Sequence, residues 1–150
     1  MKKKMVIIAL LMVAILLCAI YYVYFWDKVS LCIQTRSGEE CFHVEQALTP
    51  EQQQKGLMDR KMLAPKTGML FLFKPMRVAR MWMKNTLIPL DMVFFDWQGR
   101  VVHVHHNALP RDLTIISSRF PVAGVLEINA GEAQKYHIGI GSKLDLQAIK

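Results

Sequence analysis

The sequence predicts a mainly β protein, in which one β-sandwich or small barrel-like domain with one or two short helices follows a single N-terminal transmembrane helix. Short apolar runs recur between turn signals at roughly 8–12-residue spacing, as they do in sandwiches and barrels. A charge-free run, residues 5–26, precedes them. We therefore expect residues 1–26 to form a membrane anchor, residues 27–40 a link and the first strand, and residues 41–150 the β domain.

The N-terminal run is long enough to cross the hydrocarbon core of a bilayer, which takes about 20 helical residues. Lys2, Lys3 and Lys4 precede the run, and positively charged flanks tend to stay in the cytoplasm. A cleaved signal peptide is the less favoured alternative, because this run is too long and ends in bulky aromatic residues. We predict a single-pass protein of the inner (cytoplasmic) membrane, with its C-terminal domain in the periplasm or otherwise outside the cytoplasm.

The charge of the chain gives little support to a nucleic-acid partner. Three of the 19 basic residues lie in the predicted anchor, which leaves 16 basic residues against 12 acidic residues beyond it. The basic excess is concentrated in residues 60–84, which contain no acid. Either a solvated surface or a contact with anionic lipid head groups explains such a stretch.

Two cysteines flank a turn at the start of the domain. Residues 31–35 and 40–45 read as the strands of a β-hairpin, with the turn at residues 36–38. Cys32 and Cys41 lie at nearly equal distances from this turn, and facing residues have Cβ atoms about 4.5–5.5 Å apart, close to disulfide reach. We predict a Cys32–Cys41 disulfide, which would persist outside the cytoplasm. A redox-active pair or a metal-binding pair is the alternative.

A short helix is expected after the hairpin. Thr49 is suited to the N-cap and Pro50 to the first helical position, and Gln52 stands where a capping box needs an acceptor. The helix should end near Gly56 or Arg60.

The remaining elements are predicted from short apolar runs bounded by Gly, Pro or polar residues. The expected strands are residues 68–73, 80–84, 90–95, 101–105, 122–129 and 143–149. A basic connection at residues 74–80 and a polar connection at residues 107–121 each contain proline. One helical turn is expected within residues 132–137.

Polar side chains interrupt the apolar stretch that runs from residue 81 to residue 96. Asp91 lies near the start of a strand, and a buried carboxylate must be paired or hydrogen-bonded. Lys84 and Asn85 are the nearest candidates to satisfy it, which predicts either a ligand pocket or a polar network that only stabilises the fold. The candidate ligand-binding residues are Arg60, Trp82, Lys84, Asn85, Thr86, Asp91 and Glu127.

Metal binding and cofactor binding have little support in the sequence. His103 and His105 would face the same side of a strand, and such a pair can bind Zn²⁺ or Cu²⁺. No further ligand is obvious nearby, so exposed histidines are the favoured interpretation. We therefore predict neither a metal nor a cofactor.

Several motifs together resemble a known family. They are TPE at 49–51, GLMDR at 56–60, GMLF at 68–71, WMKNT at 82–86, IPLDM at 88–92, VLE at 125–127 and AG at 130–131. The chain resembles the bacterial and archaeal domain-of-unknown-function family 192 over roughly residues 41–146. The resemblance implies a mainly β single domain, often behind a signal or membrane anchor, and it implies no known activity, substrate or cofactor.

We expect a membrane-anchored, envelope-facing binding or accessory module that recognises a small anionic ligand or another envelope protein. The alternative is a hydrolase or transferase that uses Asp91 and Glu127 with Lys84, although no nucleophile-elbow or zinc-protease motif supports catalysis. An enzyme would bring the two carboxyl groups and Lys84 into one open cleft. In a scaffold or a binding module, Asp91 would be buried and fully occupied by backbone groups and Asn85, with Glu127 remote.

Overall fold

The computed structural model describes residues 11–16 and 28–149. Residues 11–16 are helical, and the rest of the predicted anchor lies outside the described residues. None of the helices in the described part combines the length and the apolar character that a membrane crossing needs. The anchor and the localisation therefore stay predictions.

The described residues from 28 onward form one mainly antiparallel sheet of seven strands with short helices. The strands are β1 Lys28–Thr35, β2 Gly38–Ala47, β3 Thr67–Met81, β4 Leu90–Phe95, β5 Val101–Ala108, β6 Ile116–Asn129 and β7 Lys143–Leu144. The α-helices are α1 Pro50–Lys55 and α2 Glu132–Lys135, and a 3₁₀ turn spans Leu146–Ala148. The order across the sheet is β5-β4-β6-β3-β2-β1-β7, and β2 and β3 run parallel.

The sheet curls until its two ends approach each other. A β-bridge between Arg100, just before β5, and Lys143 of β7 joins the ends of the strand order. The mainly β prediction is thus confirmed, but the strands make one curled sheet and not the two packed sheets of a sandwich. Because one sheet serves both cores, alternate residues of each strand face opposite cores.

Two separate cores lie on the two faces of the sheet. The inner core, inside the curl, contains Leu31, Ile33, Phe42, Val44, Leu70, Val93, Phe95, Val101, Leu126, Ile128, Ala133, Ile138 and Leu144. The outer core contains Ala47, Leu57, Met69, Phe71, Phe73, Ala79, Met83, Ile88, Leu90, Met92, Phe94, Ala108, Ile116, Val122 and Val125. Residues after α1 and residues 83–88 contribute side chains to the outer core, so these segments cover that face of the sheet.

The hairpin and its disulfide are confirmed. Cys32 of β1 and Cys41 of β2 are register partners, with Cα atoms 4.0 Å apart, and their sulfurs are bonded to each other. The sulfurs are therefore not free to act as a metal-binding pair. The crosslink joins the two strands next to the turn and so holds one end of the sheet in register.

Helix α1 begins as its sequence predicts. The backbone N–H of Gln52 donates to the Thr49 hydroxyl at 3.2 Å, and the Thr49 N–H donates to the Gln52 side chain at 2.9 Å. Pro50 takes the first position, and Gly56 ends the helix with a φ of 50°. A left-handed backbone at this point favours glycine, which has no Cβ to oppose it.

The predicted basic connection at residues 74–80 is wrong, because β3 continues through it. The register between β3 and β6 jumps between Leu72 and Arg77, and the Lys74–Pro75 peptide within this bulge is cis. A bulge lets a strand accommodate a proline that cannot donate to the ladder. Its partner β6 likewise begins at Ile116, inside the predicted polar connection.

The last predicted strand is much shorter than expected. Strand β7 contains only Lys143 and Leu144, and Asp145 ends it. The Asp145 carboxylate accepts from the backbone N–H of Gln147 at 3.0 Å and so caps the 3₁₀ turn that follows. This local hydrogen bond competes with continuation of the strand.

Candidate functional site

The turn that contains Lys84 covers the outer core and leaves Trp82, Lys84 and Asn85 exposed. Met83 points inward and is fully buried, whereas Trp82 remains 40% exposed. The Lys84 ammonium lies 5.1 Å from the centre of the Trp82 ring, within the range of a cation–π contact. Asn85 adopts a left-handed backbone with a φ of 54°, which turns the chain after Lys84. Trp82 and Lys84 thus form one solvent-facing unit.

Backbone hydrogen bonds hold this turn from both sides. The Asp59 N–H donates to the Asn85 carbonyl at 2.9 Å, and the Arg111 N–H donates to the Thr86 carbonyl at 3.0 Å. The Met83 N–H donates to the Asp112 carbonyl at 2.9 Å. The Thr86 side chain is buried against the turn. The turn is therefore fixed between the segment after α1 and the loop before β6.

Asp91 is buried in the inner face of β4 and is occupied by backbone donors. Its Oδ1 accepts from the N–H of Asn107 at 2.9 Å, and its Oδ2 accepts from the N–H of Ala133 at 3.0 Å. The His106 Nδ1 lies 3.9 Å from Oδ1. The expected pairing with Lys84 or Asn85 is not observed, because Asp91 faces the inner core while Lys84 faces solvent. Asp91 instead joins β5 and α2 to β4.

Glu127 lies on the outer-core face of β6, where it is buried without a partner. It is 5% exposed, and no hydrogen bond or ion pair joins its carboxyl group to another described residue. Burial raises the pKa of this carboxyl group to about 8. Its register partners on the adjacent strands are Met69 and Met92, which belong to the outer core. Apolar neighbours therefore replace the water that a carboxylate would need.

A cleft of about 660 Å³ opens between α1, the segment after it and the edge of β2. We call it the Arg60 cleft. Its lining includes Glu45, Lys55, Gly56, Met58, Asp59, Arg60 and Met69. Arg60 makes a forked ion pair with Glu45, with Nη1 to Oε1 at 2.7 Å and Nη2 to Oε2 at 2.5 Å. Hydrogen bonding from Arg60 holds the pKa of Glu45 below its usual value.

Glu127 adjoins two residues that line this cleft. Its Oε2 is 3.9 Å from the point where a Cβ would stand on Gly56, and Gly56 lines the cleft. Met69, the register partner of Glu127 on β3, also lines the cleft. The sequence contained one signal for this site: Glu127 interrupts an apolar run in mid-strand, which indicates a buried acid rather than a charge at a strand end.

The catalytic arrangement of the alternative interpretation is not formed by the described residues. Asp91 is the register partner of Ile128 and Met92 is that of Glu127, so the two acids face opposite sides of the sheet. Lys84 is exposed beside Trp82, away from both carboxyl groups. The arrangement therefore matches the buried, backbone-occupied Asp91 expected of a scaffold or a binding module, although Asn85 is not among its partners.

His103 and His105 lie on the same face of β5, as predicted, because their register partners Phe94 and Met92 both belong to the outer core. His103 stacks on Phe94 with ring centres 5.5 Å apart, and burial is the largest cause that lowers its pKa. His105 is the register partner of Met92. Neither belongs to a cluster of three possible His, Cys, Asp or Glu ligands in the described part of the chain. The cluster of that kind found there is Cys32, Glu39 and Cys41, whose sulfurs already form the disulfide.

The fold and these sites define a small, mainly β domain with one curled sheet, a ligand-sized cleft and no assembled catalytic group among the described residues. The chain belongs to the DUF192 family, described as "Uncharacterized ACR", whose family model matches residues 32–146. This confirms the family resemblance of the sequence motifs.

Two solved structures support the family and the fold. A candidate transcription regulator from Sinorhizobium meliloti 1021 is 44% identical, with a TM-score of 0.77 over 79% of this chain and 92% of that chain. A protein of unknown function from Novosphingobium aromaticivorans DSM 12444 is 40% identical, with a TM-score of 0.77 over 79% of this chain and 84% of that chain. No curated protein matches the sequence.

Proposed function

We propose that this protein is a membrane-anchored, envelope-facing binding module that recognises another envelope protein through an acidic surface of that partner. The contact would be made by the Trp82 face, which we define as Trp82, Lys84, Leu109, Arg111, Leu113 and Ile115. The observation that carries this proposal is the exposed Trp82 ring with the Lys84 ammonium over it.

The Trp82 face combines a rigid backbone with exposed apolar side chains. Its turn is held by the hydrogen bonds to Asp59 and Asp112 described above. The side chains of Leu109, Leu113 and Ile115 are exposed on the loop that these bonds attach to the turn. Aromatic residues and arginine are enriched where proteins contact each other, and tryptophan is among the residues that contribute most binding energy. A preorganised face of this kind loses little entropy on binding.

The charges around this face favour an acidic partner. Arg80, Lys84 and Arg111 are exposed on or next to this face, and the acids next to it are Asp59 and Asp112, so the positive charges exceed the negative charges by one. Complementary charge accelerates association and selects against wrong partners. A small anion is a weaker candidate, since the Trp82 face is not a cleft and Arg60 already forms its forked ion pair with Glu45.

The disulfide and the N-terminal run support placement outside the cytoplasm. A disulfide persists in oxidising compartments and is rare in cytosolic proteins. The Cys32–Cys41 bond therefore agrees with an N-terminal segment that carries the domain across the inner membrane. The description of the Sinorhizobium relative suggests control of transcription, but an envelope location separates the domain from chromosomal DNA, which is why we favour a protein partner.

Site-specific photocrosslinking in living cells tests this function. The photoreactive residue p-benzoylphenylalanine would replace Trp82 in the full chain, and the same residue at Trp97 provides the matched control. Trp97 is also an exposed tryptophan, at 69%, but it lies in the turn between β4 and β5. We expect a crosslinked product of defined mass from position 82 and none of that mass from position 97.

A charge reversal completes the test. Lys84→Glu should reduce the yield of the crosslinked product severalfold, because it places a like charge opposite the acidic partner. The exposed position of Lys84 makes this change compatible with folding. An equal yield from positions 82 and 97, or a yield that Lys84→Glu leaves unchanged, would overturn the proposed partner face.

A further inference from the structure

We propose that the Arg60 cleft binds a small organic cation, whose ammonium group pairs with the buried carboxyl group of Glu127. This site is separate from the Trp82 face, so either proposal can fail without the other.

Glu127 is a largely buried acid whose carboxyl group makes no hydrogen bond to another described residue, although its oxygens keep some contact with solvent-accessible space, unlike the fully enclosed unpaired Gln46 Oε1 and Glu132 Oε2. Buried polar groups nearly always have a hydrogen-bond partner, and an exception calls for an explanation. Glu127 is 5% exposed, stands between two thioether residues in mid-sheet, and makes no hydrogen bond to another described residue. Of the other two buried acids, Asp91 accepts two backbone hydrogen bonds, whereas Glu132 accepts one and its Oε2 has no partner among the described residues. A ligand that donates to Glu127 supplies the interaction that the fold leaves out.

The cleft gives such a ligand a path to the carboxyl group. Gly56 and Met69 both line the cleft and both adjoin Glu127. Gly56 places only its backbone between the cleft and the carboxyl group of Glu127. A Cβ at this position would lie 3.3 Å from the Phe71 ring and 3.9 Å from Oε2. The cleft volume of about 660 Å³ falls within the usual range of small-molecule sites.

The charges of the cleft favour a monocation. Its lining contains two acids, Glu45 and Asp59, and two bases, Lys55 and Arg60. These four charges balance, and Glu45 and Arg60 already neutralise each other in their forked ion pair. An ionised Glu127 then leaves one negative charge without compensation, which one ammonium group neutralises. An anionic ligand would instead add a second negative charge.

The walls of the cleft select the rest of the ligand. Met58 and Met69 offer thioether side chains, and the Phe71 ring lies beside Gly56. Methionine packs adaptably against apolar groups of differing shape. The favoured ligand class is therefore a primary amine with a short apolar chain, with the chain against the methionines and the ammonium group at Glu127.

Binding of a cation at this position is coupled to proton release. In the free protein the pKa of Glu127 is about 8, so the carboxyl group is mostly neutral at pH 7. The ammonium group pairs with the ionised form, so binding displaces the proton, and the affinity rises as the pH increases toward 8. The charged or titratable groups on the elements around Glu127 are Glu45, Lys55, Asp59, Arg60 and His105.

The test uses n-butylammonium as the probe and the full-length protein in detergent micelles. Carbon-13 NMR of carboxyl-labelled glutamate follows Glu127 directly during the titration. We expect its resonance to move to the ionised position on saturation, and the affinity to rise about tenfold between pH 6 and pH 7. n-Butanol, which has the same chain without the charge, should bind far more weakly.

Two matched variants separate the site from the fold. Glu127→Gln removes the charge with little change of shape. Its affinity for butylammonium should be no higher than the affinity of the wild type for butanol. Glu132→Gln is the control, because Glu132 is also a buried acid, with one oxygen paired to the Lys66 N–H at 2.9 Å and Oε2 enclosed without a partner among the described residues, but it does not line the cleft. This control should bind the probe as the wild type does.

Each of the following results would overturn the proposal. They are equal affinity in the Glu127→Gln variant, an affinity that falls between pH 6 and pH 7, and equal binding of butanol and butylammonium. Binding of silver(I) that is lost in Met69→Leu, with no response to butylammonium, would also overturn it and would assign the site to a soft metal ion. The crosslinking at Trp82 reports on a different face and is unaffected by these outcomes.

Discussion

Replacing Glu127 by glutamine should remove a large part of the pH dependence of folding stability. The carboxyl group is buried against apolar side chains, and burial raises its pKa from the usual 4.5 to about 8. The unfolded chain exposes the group to water, where it ionises normally. Between these two pKa values the folded protein retains a proton that the unfolded chain releases.

The sign and size of the effect follow from this difference in bound protons. Stability falls as the pH rises wherever the folded state binds more protons, which here is the interval from about 4.5 to about 8. Between pH 5 and pH 7 the wild type should therefore lose about 2.5 kcal/mol relative to Glu127→Gln. We compare how the free energy of unfolding changes with pH and not its absolute value. The buried amide of the variant has a desolvation cost of its own, but this cost does not depend on pH.

Urea unfolding of the full-length chain in detergent, followed by tryptophan fluorescence, measures this difference. Wild type and Glu127→Gln are compared at half-unit steps from pH 5 to pH 8 in amine-free buffers. Glu51→Gln removes a carboxyl group from the exposed surface of α1 and provides the control for a change in total charge. A gap between wild type and Glu127→Gln that stays constant across this range would refute the reasoning, since it would mean that Glu127 ionises as it does in water.

Three further predictions concern the fold. Replacing Cys32 and Cys41 by alanine should lower the free energy of unfolding by about 2.6 kcal/mol, the value for a crosslink that spans nine residues. Dithiothreitol should lower the stability of the wild type but not that of the variant. Asp91→Ala should cost about 1–3 kcal/mol in urea unfolding, mainly because it leaves the buried N–H of Ala133 unpaired, whereas the N–H of Asn107 is only partly buried. A cost below about 0.5 kcal/mol would contradict this role. Gly124→Ala should prevent stable folding, because its Cβ would lie 2.2 Å from a backbone oxygen, whereas Gly139→Ala, which has nothing within 4 Å, should leave the melting temperature unchanged.

Local signals predict the elements whose stabilising contacts are also local. The capping box at Thr49 involves residues within one turn, and α1 begins there in the structure. The apolar run of β4 is bounded by Pro89 and Asp96, and its limits, Leu90–Phe95, are those of the prediction. The hairpin was predictable because its turn and its cysteines lie within ten residues of each other.

Long-range pairing explains the errors. Pro75 predicts a break in β3, and without the partner strand this is the reasonable interpretation. The strand continues because β6 pairs with it on both sides of the bulge, from Gly68 to Met81. The same pairing makes Ile116 the start of a strand instead of part of a loop. The sequence around Pro75 contains no trace of β6, so no local rule could have predicted this continuation.

The candidate site was mispredicted for a related reason. Lys84 and Asn85 are close to Asp91 in sequence, which suggested a contact. The partners that Asp91 takes are Asn107 and Ala133, 16 and 42 residues away. In a strand, a shift of one residue changes the face of the sheet, so nearness in sequence says little about which groups meet.

The contrast between Asp91 and Glu127 is the strongest structural argument about function. Asp91 and Glu127 lie on adjacent strands, and each is enclosed by one of the two cores. Asp91 has a backbone donor for each of its oxygens, so its burial contributes to the fold and leaves no capacity for a ligand. Glu127 has no such donor among the described residues, although the same sheet could have supplied one. A carboxyl group that destabilises the fold and adjoins a cleft is best explained by a ligand that pairs with it there. The butylammonium titration tests this explanation by following the carboxyl resonance of Glu127.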